Sequence, residues 1–194
     1  FPQAKQLDVV LYEWAWALQQ RQQDAEAQKI FERLATQFPQ SSLMREAVIN
    51  VCESLFLARQ YPEVIARLKP LLAKELPPKV REAALYRLGR TYVEQAAWAD
   101  AKATLEQLAQ DFPMSSLRRE AEFWIAEAER QLGQPKAAAE RLAKLAAEQS
   151  QPEPWLGTAY LRMAQSQGEL KQWKELLATL EQLKKRFPKF EGMN

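Results

Sequence analysis

The sequence predicts an all-α protein, an α-solenoid built from about five helix–turn–helix repeats of ~37 residues each. Three observations support this fold class. One phrase of the sequence occurs twice, small residues recur at a fixed interval, and the composition favours helices throughout. The chain is rich in Ala, Leu, Gln, Glu, Lys and Arg, whereas Val and Ile are sparse and never alternate with polar residues over a strand length.

The phrase that occurs twice is QFPQSSLMREA at 37–47, which returns as DFPMSSLRREA at 111–121. Phe, Pro, Ser, Ser, Leu, Arg, Glu and Ala keep their order and are each displaced by 74 residues, twice the repeat length. Phe-Pro is typical of a helix end, and the paired serines are favourable N-caps for a following helix. We therefore interpret the phrase as the hinge between successive repeats.

Each predicted first helix holds a large apolar residue followed by a small one, and the small residues stand 37, 37, 37 and 38 residues apart. Apolar or small residues follow each of them at offsets of 12, 16 and 19. These offsets predict the core where the two helices of a repeat cross. The first-helix pairs are Trp14-Ala15, Val51-Cys52, Leu88-Gly89, Ile125-Ala126 and Met163-Ala164, and the second-helix positions are Ala27, Phe31, Leu34, Val64, Leu68, Leu71, Ala101, Leu105, Leu108, Ala138, Leu142, Leu145, Leu176, Leu180 and Leu183.

The third repeat divides clearly into two helices, at 82–95 and 100–112, with a break between them. In the second repeat Pro70 lies inside the second helix, and we expect it to bend that helix because it lacks an N–H donor. We expect a single solenoid over 1–194 that belongs to a longer chain, because Phe1-Pro2-Gln3 echoes Phe38-Pro39-Gln40 of the hinge. The repeats are predicted at about 8–44, 45–81, 82–118, 119–156 and 157–190.

Composition excludes several classes of function. The net charge is +2 with both signs interspersed, which provides no field for attracting nucleic acid or an anionic membrane. The absence of His excludes imidazole catalysis and His metal ligation, and a single Cys excludes an internal disulfide. We predict no catalytic, cofactor-binding or metal-binding residue, and we interpret Cys52 as a small buried hydrophobe.

The pattern resembles the tetratricopeptide repeat, which places large apolar residues, Leu-Gly, Tyr, Ala, Phe and Pro at set offsets in a helix–turn–helix unit. The resemblance covers 8–190 and implies a right-handed superhelix whose first helices line a concave side. It departs from the family in its longer unit and in Glu122 and Glu129, where the pattern prefers aromatics. The third repeat matches best, through Leu85, Leu88, Gly89, Tyr92, Trp98, Ala101, Leu105, Leu108 and Pro113.

A longer bacterial subtype of this repeat is similar in two further respects. The fourth repeat contains FWIAEA at 123–128, and the hinge has the form Phe-Pro-x-Ser. Both features resemble the Tol–Pal coordinator protein and the lipoprotein of the outer-membrane assembly machine. The resemblance implies a setting in the bacterial cell envelope, with the periplasm favoured over the cytoplasm.

The first helices offer candidates for partner contacts once the core positions are set aside. Residues one or two apart do not share a helix face, so one of Trp14 and Trp16, and one residue of 123–125, should leave the core. Aromatics with nearby Arg suit a peptide-binding groove, although the rings could instead pack between adjacent first helices. The candidates are Tyr12, Trp16, Asn50, Glu53, Phe56, Tyr86, Arg90, Trp124, Glu127, Arg130 and Arg162.

The other conspicuous residues favour structural interpretations. Trp98 and Trp173 occupy the same turn position of two repeats, and we interpret both as structural. Carboxylates on the helices and the basic residues of 184–189 are interpreted as solvated surface.

The leading hypothesis is a non-catalytic protein–protein interaction scaffold that binds a partner peptide or helix in the concave groove. The alternative is a structural spacer or self-assembling module, a homo-oligomer that stacks end to end, because repeat ends without polar caps are sticky. An enzyme has the least support, since the chain lacks His, a Gly-rich phosphate loop and a nucleophile with a base at useful spacing.

Overall fold

The computed structural model describes residues 6–148, 154–188 and 190, and these residues form ten α-helices and no strand. The helices alternate along the chain as the first and second helix of each predicted repeat. They are α1 (Leu7–Gln20), α2 (Asp24–Gln37), α3 (Met44–Leu57), α4 (Tyr61–Leu72), α5 (Pro78–Glu94), α6 (Trp98–Asp111), α7 (Arg118–Gln131), α8 (Pro135–Ala147), α9 (Pro154–Glu169) and α10 (Trp173–Arg186).

The chain divides into two compact units, unit 1 over Phe1–Gln95 and unit 2 over Ala96–Asn194. In unit 1 each helix from α1 to α5 packs on the next, and α3 also contacts α5. In unit 2 each helix from α6 to α10 packs on the next, and α7 also contacts α9. This repeated helix–turn–helix arrangement confirms the predicted all-α fold class, while the single solenoid over 1–194 stays a prediction.

Burial of the predicted core residues confirms the core register. The small residue of every first helix is buried, and so are the second-helix residues predicted to face it in α2, α4, α6 and α8. In α10, Leu183 is buried but Leu176 and Leu180 are only half-buried, because no helix of the described chain lies against that side. The five small residues are Ala15, Cys52, Gly89, Ala126 and Ala164.

The hinge serines do not act as N-caps, so that prediction was wrong. Helices α3 and α7 begin two residues later than a serine cap would allow, with Leu43 and Leu117 at the N-cap position. Ser41 Oγ accepts a hydrogen bond from the Leu43 N–H at 3.1 Å, and Ser115 Oγ accepts one from the Leu117 N–H at 2.9 Å. The side chains therefore stabilise a short turn before the helix, where serine competes well for backbone donors.

The turn inside each repeat has a backbone feature that the sequence did not reveal. One residue in every repeat lies in the left-handed region, with φ between 54° and 73°. In four repeats the N–H after it bonds back to a carbonyl in the last turn of the first helix, for example Gln60 to Leu55 at 2.8 Å. The residues are Gln22, Arg59, Ala96, Gly133 and Lys171, so only one of the five is glycine.

Two further expectations concern single residues. Pro70 lies inside α4, two residues before its end at Leu72, and the expected bend of that helix stays a prediction. Cys52 is a free, fully buried thiol, as predicted. No helix of the described residues is long and apolar enough to cross a membrane, and no cluster of potential metal ligands occurs among them.

Overpacking and cavity formation should both destabilise the core that buries Ala101 and Leu105 of α6. Ala101→Leu should lower the free energy of unfolding by roughly 1–3 kcal/mol, because Ala101 is fully buried. Leu105→Ala should lower it by roughly 2–5 kcal/mol by leaving a cavity. Urea denaturation measures both, with Ala103→Leu at an exposed position of α6 as the control. Wild-type stability in both core variants would contradict the repeat register.

The Cys52 thiol should be unreactive in the folded chain. Burial raises the pKa of Cys52 to about 12. The thiolate attacks iodoacetamide and displaces iodide; it is scarce near pH 8 at that pKa but appreciable at the pKa of ~8.5 of an unfolded cysteine. Labelling followed by mass spectrometry should be slow in buffer and fast in urea. Equal rates under the two conditions would show that the α3 core is open.

Candidate functional site

The predicted partner residues all lie on the first helices, and two exposed apolar residues accompany them. We call this set the first-helix surface. In unit 1 it comprises Val9, Tyr12, Trp16, Asn50, Glu53, Phe56, Leu57, Tyr86 and Arg90; in unit 2 it comprises Trp124, Glu127, Arg130 and Arg162.

In unit 1, Tyr12 is held between the two helices of the first repeat and α3. Its ring meets Phe31 of α2 edge to face, with centroids 5.6 Å apart. Burial raises the pKa of Tyr12, and a hydrogen bond with Glu46 and the charge of that residue raise it further. Asn50, also on α3, donates to the Glu46 carbonyl at 3.0 Å. Tyr12 is therefore a half-buried packing residue.

Phe56 and Glu53 on α3 are joined to α5 by Arg87, a residue that sequence reasoning did not select. The Arg87 guanidinium lies 4.3 Å from the centroid of the Phe56 ring, a cation–π contact, and forms an ion pair with Glu53. On α5 itself, Arg90 Nη1 donates to the Tyr86 hydroxyl at 3.5 Å. Guanidinium groups of α5 thus lie beside aromatic rings of α3 and α5.

Large apolar side chains remain exposed on the first-helix surface of unit 1. Trp16 is 50% exposed, Val9 41% and Leu57 66%. Sequence reasoning missed Val9 and Leu57, although a signal for Leu57 was present. The repeat-equivalent positions of Leu57 hold only polar residues, Gln20, Glu94, Gln131 and Glu169.

In unit 2 the first-helix surface is dominated by a buried carboxylate, Glu127, which is only 6% exposed. Arg130 and Gln131 each donate to it at 2.8 Å, and Arg162 of α9 lies 3.1 Å away. Arg130 also pairs with Glu169 of α9 at 3.2 Å. Burial would raise the pKa of Glu127, but these hydrogen bonds and positive charges outweigh it and lower the pKa. The network joins α7 to α9.

A second charged cluster lies at the other side of α7, where we expected only solvated carboxylates. Arg141 of α8 donates to buried Glu129 at 2.8 Å, forms an ion pair with Glu122, and reaches Glu106 of α6 at 3.5 Å. Burial would lower the pKa of Arg141, yet its hydrogen bonds to Glu129 and Glu122 raise it. The interpretation of helix carboxylates as surface was therefore wrong for Glu129, and Glu127, which was predicted as a partner-contact residue, is buried as well.

The tryptophans depart from prediction in α1 and α10. Trp14, assigned to the core, is 51% exposed, so both Trp14 and Trp16 leave the core rather than one of them. Trp173, assigned a structural role, is 60% exposed, whereas Trp98 is half-buried. The residues at the position of Trp14 in the other four first helices are all buried.

The aromatic group at 123–125 matches the prediction that one residue leaves the core. Phe123 and Ile125 are buried and Trp124 is half-buried. The Trp124 indole N–H lies 3.3 Å from Glu120 Oε1, and its ring meets Phe123 edge to face at 5.0 Å. Trp124 therefore exposes only part of its ring.

Comparison with protein families gives matches along the chain. A family model described as the tetratricopeptide repeat matches residues 9–41, 83–115 and 158–189, together just over half of the sequence. No curated protein sequence matches.

Solved structures similar to the chain include three repeat proteins. Putative kinesin light chain repeats from Podosopora anserina are 21% identical, with a TM-score of 0.72 over 94% of this chain and 95% of that one. YrrB, described as a TPR protein with an unusual peptide-binding site, is 14% identical, with 0.72 over 92% and 86%. A tetratricopeptide repeat protein from Parabacteroides merdae is 15% identical, with 0.78 over 95% and 68%. These likenesses show the fold alone.

Replacing Arg141 should destabilise the chain more than breaking an ion pair between two exposed side chains. Arg141→Gln leaves Glu129 buried without its charge partner and should lower the free energy of unfolding by roughly 3 kcal/mol. The control is Arg67→Gln, 74 residues earlier, which breaks an exposed pair with Glu32 and should cost about 0–1 kcal/mol. Urea denaturation measures both. Equal losses of unfolding free energy in the two variants would contradict the assignment of Arg141 as the charge partner of buried Glu129.

Proposed function

Because the chain belongs to the tetratricopeptide repeat family, we propose that it is a non-catalytic protein–protein interaction scaffold. The first-helix surface of unit 1 holds an extended peptide or a helix from a partner protein, in the role of the predicted concave groove. The partner is a protein, because the interspersed charges and net charge of +2 offer little attraction to nucleic acid.

Trp16 is the observation that carries this proposal. Its ring is half exposed, at a position where every other repeat has a polar residue. Single exposed apolar residues are common, but Trp16 shares one face of α1 with exposed Val9, and Leu57 is exposed on α3. Tryptophan is the side chain most enriched among residues that dominate binding energy. The polar equivalents of Trp16 are Glu53, Arg90, Glu127 and Gln165.

The arginines of unit 1 give this apolar surface its selectivity. Arg87 is already placed above Phe56 and beside Glu53, and Arg90 is placed beside Tyr86. A partner carboxylate can share these guanidinium groups, since arginine presents several donors in a fixed geometry. The expected ligand therefore combines aromatic or aliphatic anchors with an acidic residue.

The first-helix surface of unit 2 presents ion-paired side chains to a partner rather than exposed apolar side chains. Arg130 and Arg162 are both paired with Glu127, so a partner meets a fixed pattern of charge. Such patterns govern orientation and association rate more than affinity. The description of YrrB as having an unusual peptide-binding site supports peptide binding by this fold.

We further propose a bacterial cell-envelope setting, on the resemblance of FWIAEA at 123–128 and the Phe-Pro-x-Ser hinge to the longer bacterial subtype. Osmotic-shock fractionation of the native host tests this. Recovery of the protein with cytoplasmic markers alone would overturn it.

The binding test uses random peptides displayed on phage and selected against the whole chain. Selected peptides should bind with Kd values near 1 µM, about −8 kcal/mol, as measured by calorimetry. The double variant Trp16→Ala, Leu57→Ala should raise the Kd of these peptides at least about tenfold, because it removes the exposed apolar side chains.

The control is Met114→Ala, which removes an apolar side chain that is 95% exposed on a hinge. It should leave binding unchanged. A library that yields no ligand, or ligands that bind the double variant as tightly as wild type, would remove this surface as the binding site.

A further inference from the structure

A groove in unit 2 lies between the second helices α8 and α10, with α9 as its floor. Its volume is about 470 Å³, within the range of roughly 300–1,000 Å³ that is usual for small-molecule sites. Alanines line most of the walls, and the floor residues of α9 are largely buried. We call this space the α8–α10 groove; the lining residues that matter below are Ala143, Tyr160, Met163, Gln167, Thr179 and Arg186.

The equivalent space one repeat earlier is filled by an arginine of the chain itself. Arg141 of α8 contacts Glu129 of α7 at 2.8 Å and Glu106 of α6 at 3.5 Å, so its side chain spans three helices. The cavity that remains beside Arg141 is about 290 Å³. The larger α8–α10 groove therefore differs from its counterpart in the side chains that occupy it.

Each member of the Arg141 cluster is replaced by an uncharged residue in the α8–α10 groove. Threonine is shorter than arginine and leaves the space between the helices open. Gln167 Oε1 is buried and accepts no hydrogen bond from the residues that the structure describes. A buried acceptor without a donor is costly, so the groove favours a ligand that supplies one. The replacements are Thr179 for Arg141, Gln167 for Glu129, Tyr160 for Glu122 and Ala143 for Glu106.

The opposite end of the groove suits an anion. Arg186 Nη1 donates to the Tyr160 hydroxyl at 2.8 Å, where the counterpart groove has Glu148 in place of Arg186. A guanidinium has several donors, so Arg186 can bind a carboxylate while it keeps this hydrogen bond. The Tyr160 hydroxyl accepts from Arg186 and can donate its own hydrogen to the same carboxylate.

The two ends of the groove are separated by an apolar stretch. Tyr160 and Gln167 are seven residues apart on α9, so their backbones lie roughly 10 Å apart along the helix axis. Met163 lies between them on the same helix face and is buried. A methionine side chain adapts its shape to an apolar chain that passes over it.

We propose that the α8–α10 groove binds a small carboxylic acid that has an apolar chain and a hydroxyl or amide N–H group at its far end. The carboxylate binds Arg186 and Tyr160, and the chain passes over Met163. The far donor satisfies Gln167 Oε1 after a small rotation of the glutamine amide. None of these residues belongs to the first-helix surface, so the inference does not rest on peptide binding there.

Calorimetry with three probes of equal chain length tests the ligand class. The wild-type chain should bind ω-hydroxyoctanoate with a Kd below about 1 mM, because this probe has both polar ends. Octanoate lacks the far donor, and the α,ω-diol of octane lacks the carboxylate. Each of these two should bind at least about fivefold more weakly than ω-hydroxyoctanoate.

Variants at the two ends of the groove assign each polar end of the ligand. Gln167→Leu should remove the advantage of ω-hydroxyoctanoate over octanoate and leave octanoate binding unchanged, because it removes only the acceptor. Arg186→Gln should weaken both carboxylates at least about fivefold. Its matched control is Lys185→Gln, which removes an exposed charge from the same turn of α10 outside the groove and should leave binding unchanged.

Blocking the groove tests where the probe binds. Ala143→Phe places a large side chain at the exposed edge of the groove and should abolish binding of ω-hydroxyoctanoate. Ala103→Phe, at an exposed position of α6, is the control and should bind as wild type does. Circular dichroism should show wild-type helicity in both variants, because both alanines are exposed.

Three outcomes would overturn the inference. The first is a wild-type chain that does not bind ω-hydroxyoctanoate. The second is an equal loss of binding in Arg186→Gln and Lys185→Gln, which would indicate general attraction to the basic end of α10. The third is undiminished binding in Ala143→Phe, which would place the probe elsewhere. Peptide binding at Trp16 is measured separately, so its failure is distinguishable from each of these.

Discussion

Burial between successive repeats is the interaction on which the rest of this structure depends. A helical hairpin buries one side of each of its helices by itself, and the remaining apolar side needs a neighbour. Val51 and Ile125 are fully buried because a second helix lies against them, whereas Trp14, at the equivalent position, is half exposed. The residue that follows this position is alanine in most first helices, and its small side chain allows the helices to approach closely. Close approach adds many small dispersion contacts, which stabilise the packing. The fold therefore depends on contacts between neighbouring repeats.

The two units differ in the side-chain interactions that link their first helices. First helices in unit 1 are linked by rings and by a guanidinium over Phe56, and apolar side chains stay exposed. In unit 2 they are linked by ion pairs around the buried carboxylate of Glu127, and buried Glu129 pairs with Arg141 of the second helix α8. Buried pairs contribute little net stability but are costly to break, so they favour one arrangement of neighbouring helices over others. Unit 1 is accordingly the better surface for new contacts.

Much of the fold could be predicted from the sequence, because the helical core recurs at fixed offsets. Ala101 and Leu105 are identified by those offsets alone. The exposure of Trp14 could not be predicted in this way, since it depends on what lies beside the repeat. Nor could the partners of Glu129, because Arg141 lies on another helix, outside the i,i+4 spacing visible along one helix. The prediction that the hinge serines cap the next helix was wrong because a serine side chain can stabilise either a helix N-cap or a short turn. Here Ser41 and Ser115 stabilise the turn.

The left-handed residue at every turn has a consequence for how such a chain can vary. Backbone hydrogen bonds around Gln22, Arg59 and Lys171 close the first helix and set the direction of the second, although none of these residues is glycine. Each accepts a conformational cost of about 1 kcal/mol that neighbouring repeats offset. Because the main chain defines the bend, side chains at the loop tips can diverge freely. New surface chemistry can therefore arise there without altering the angle between the helices.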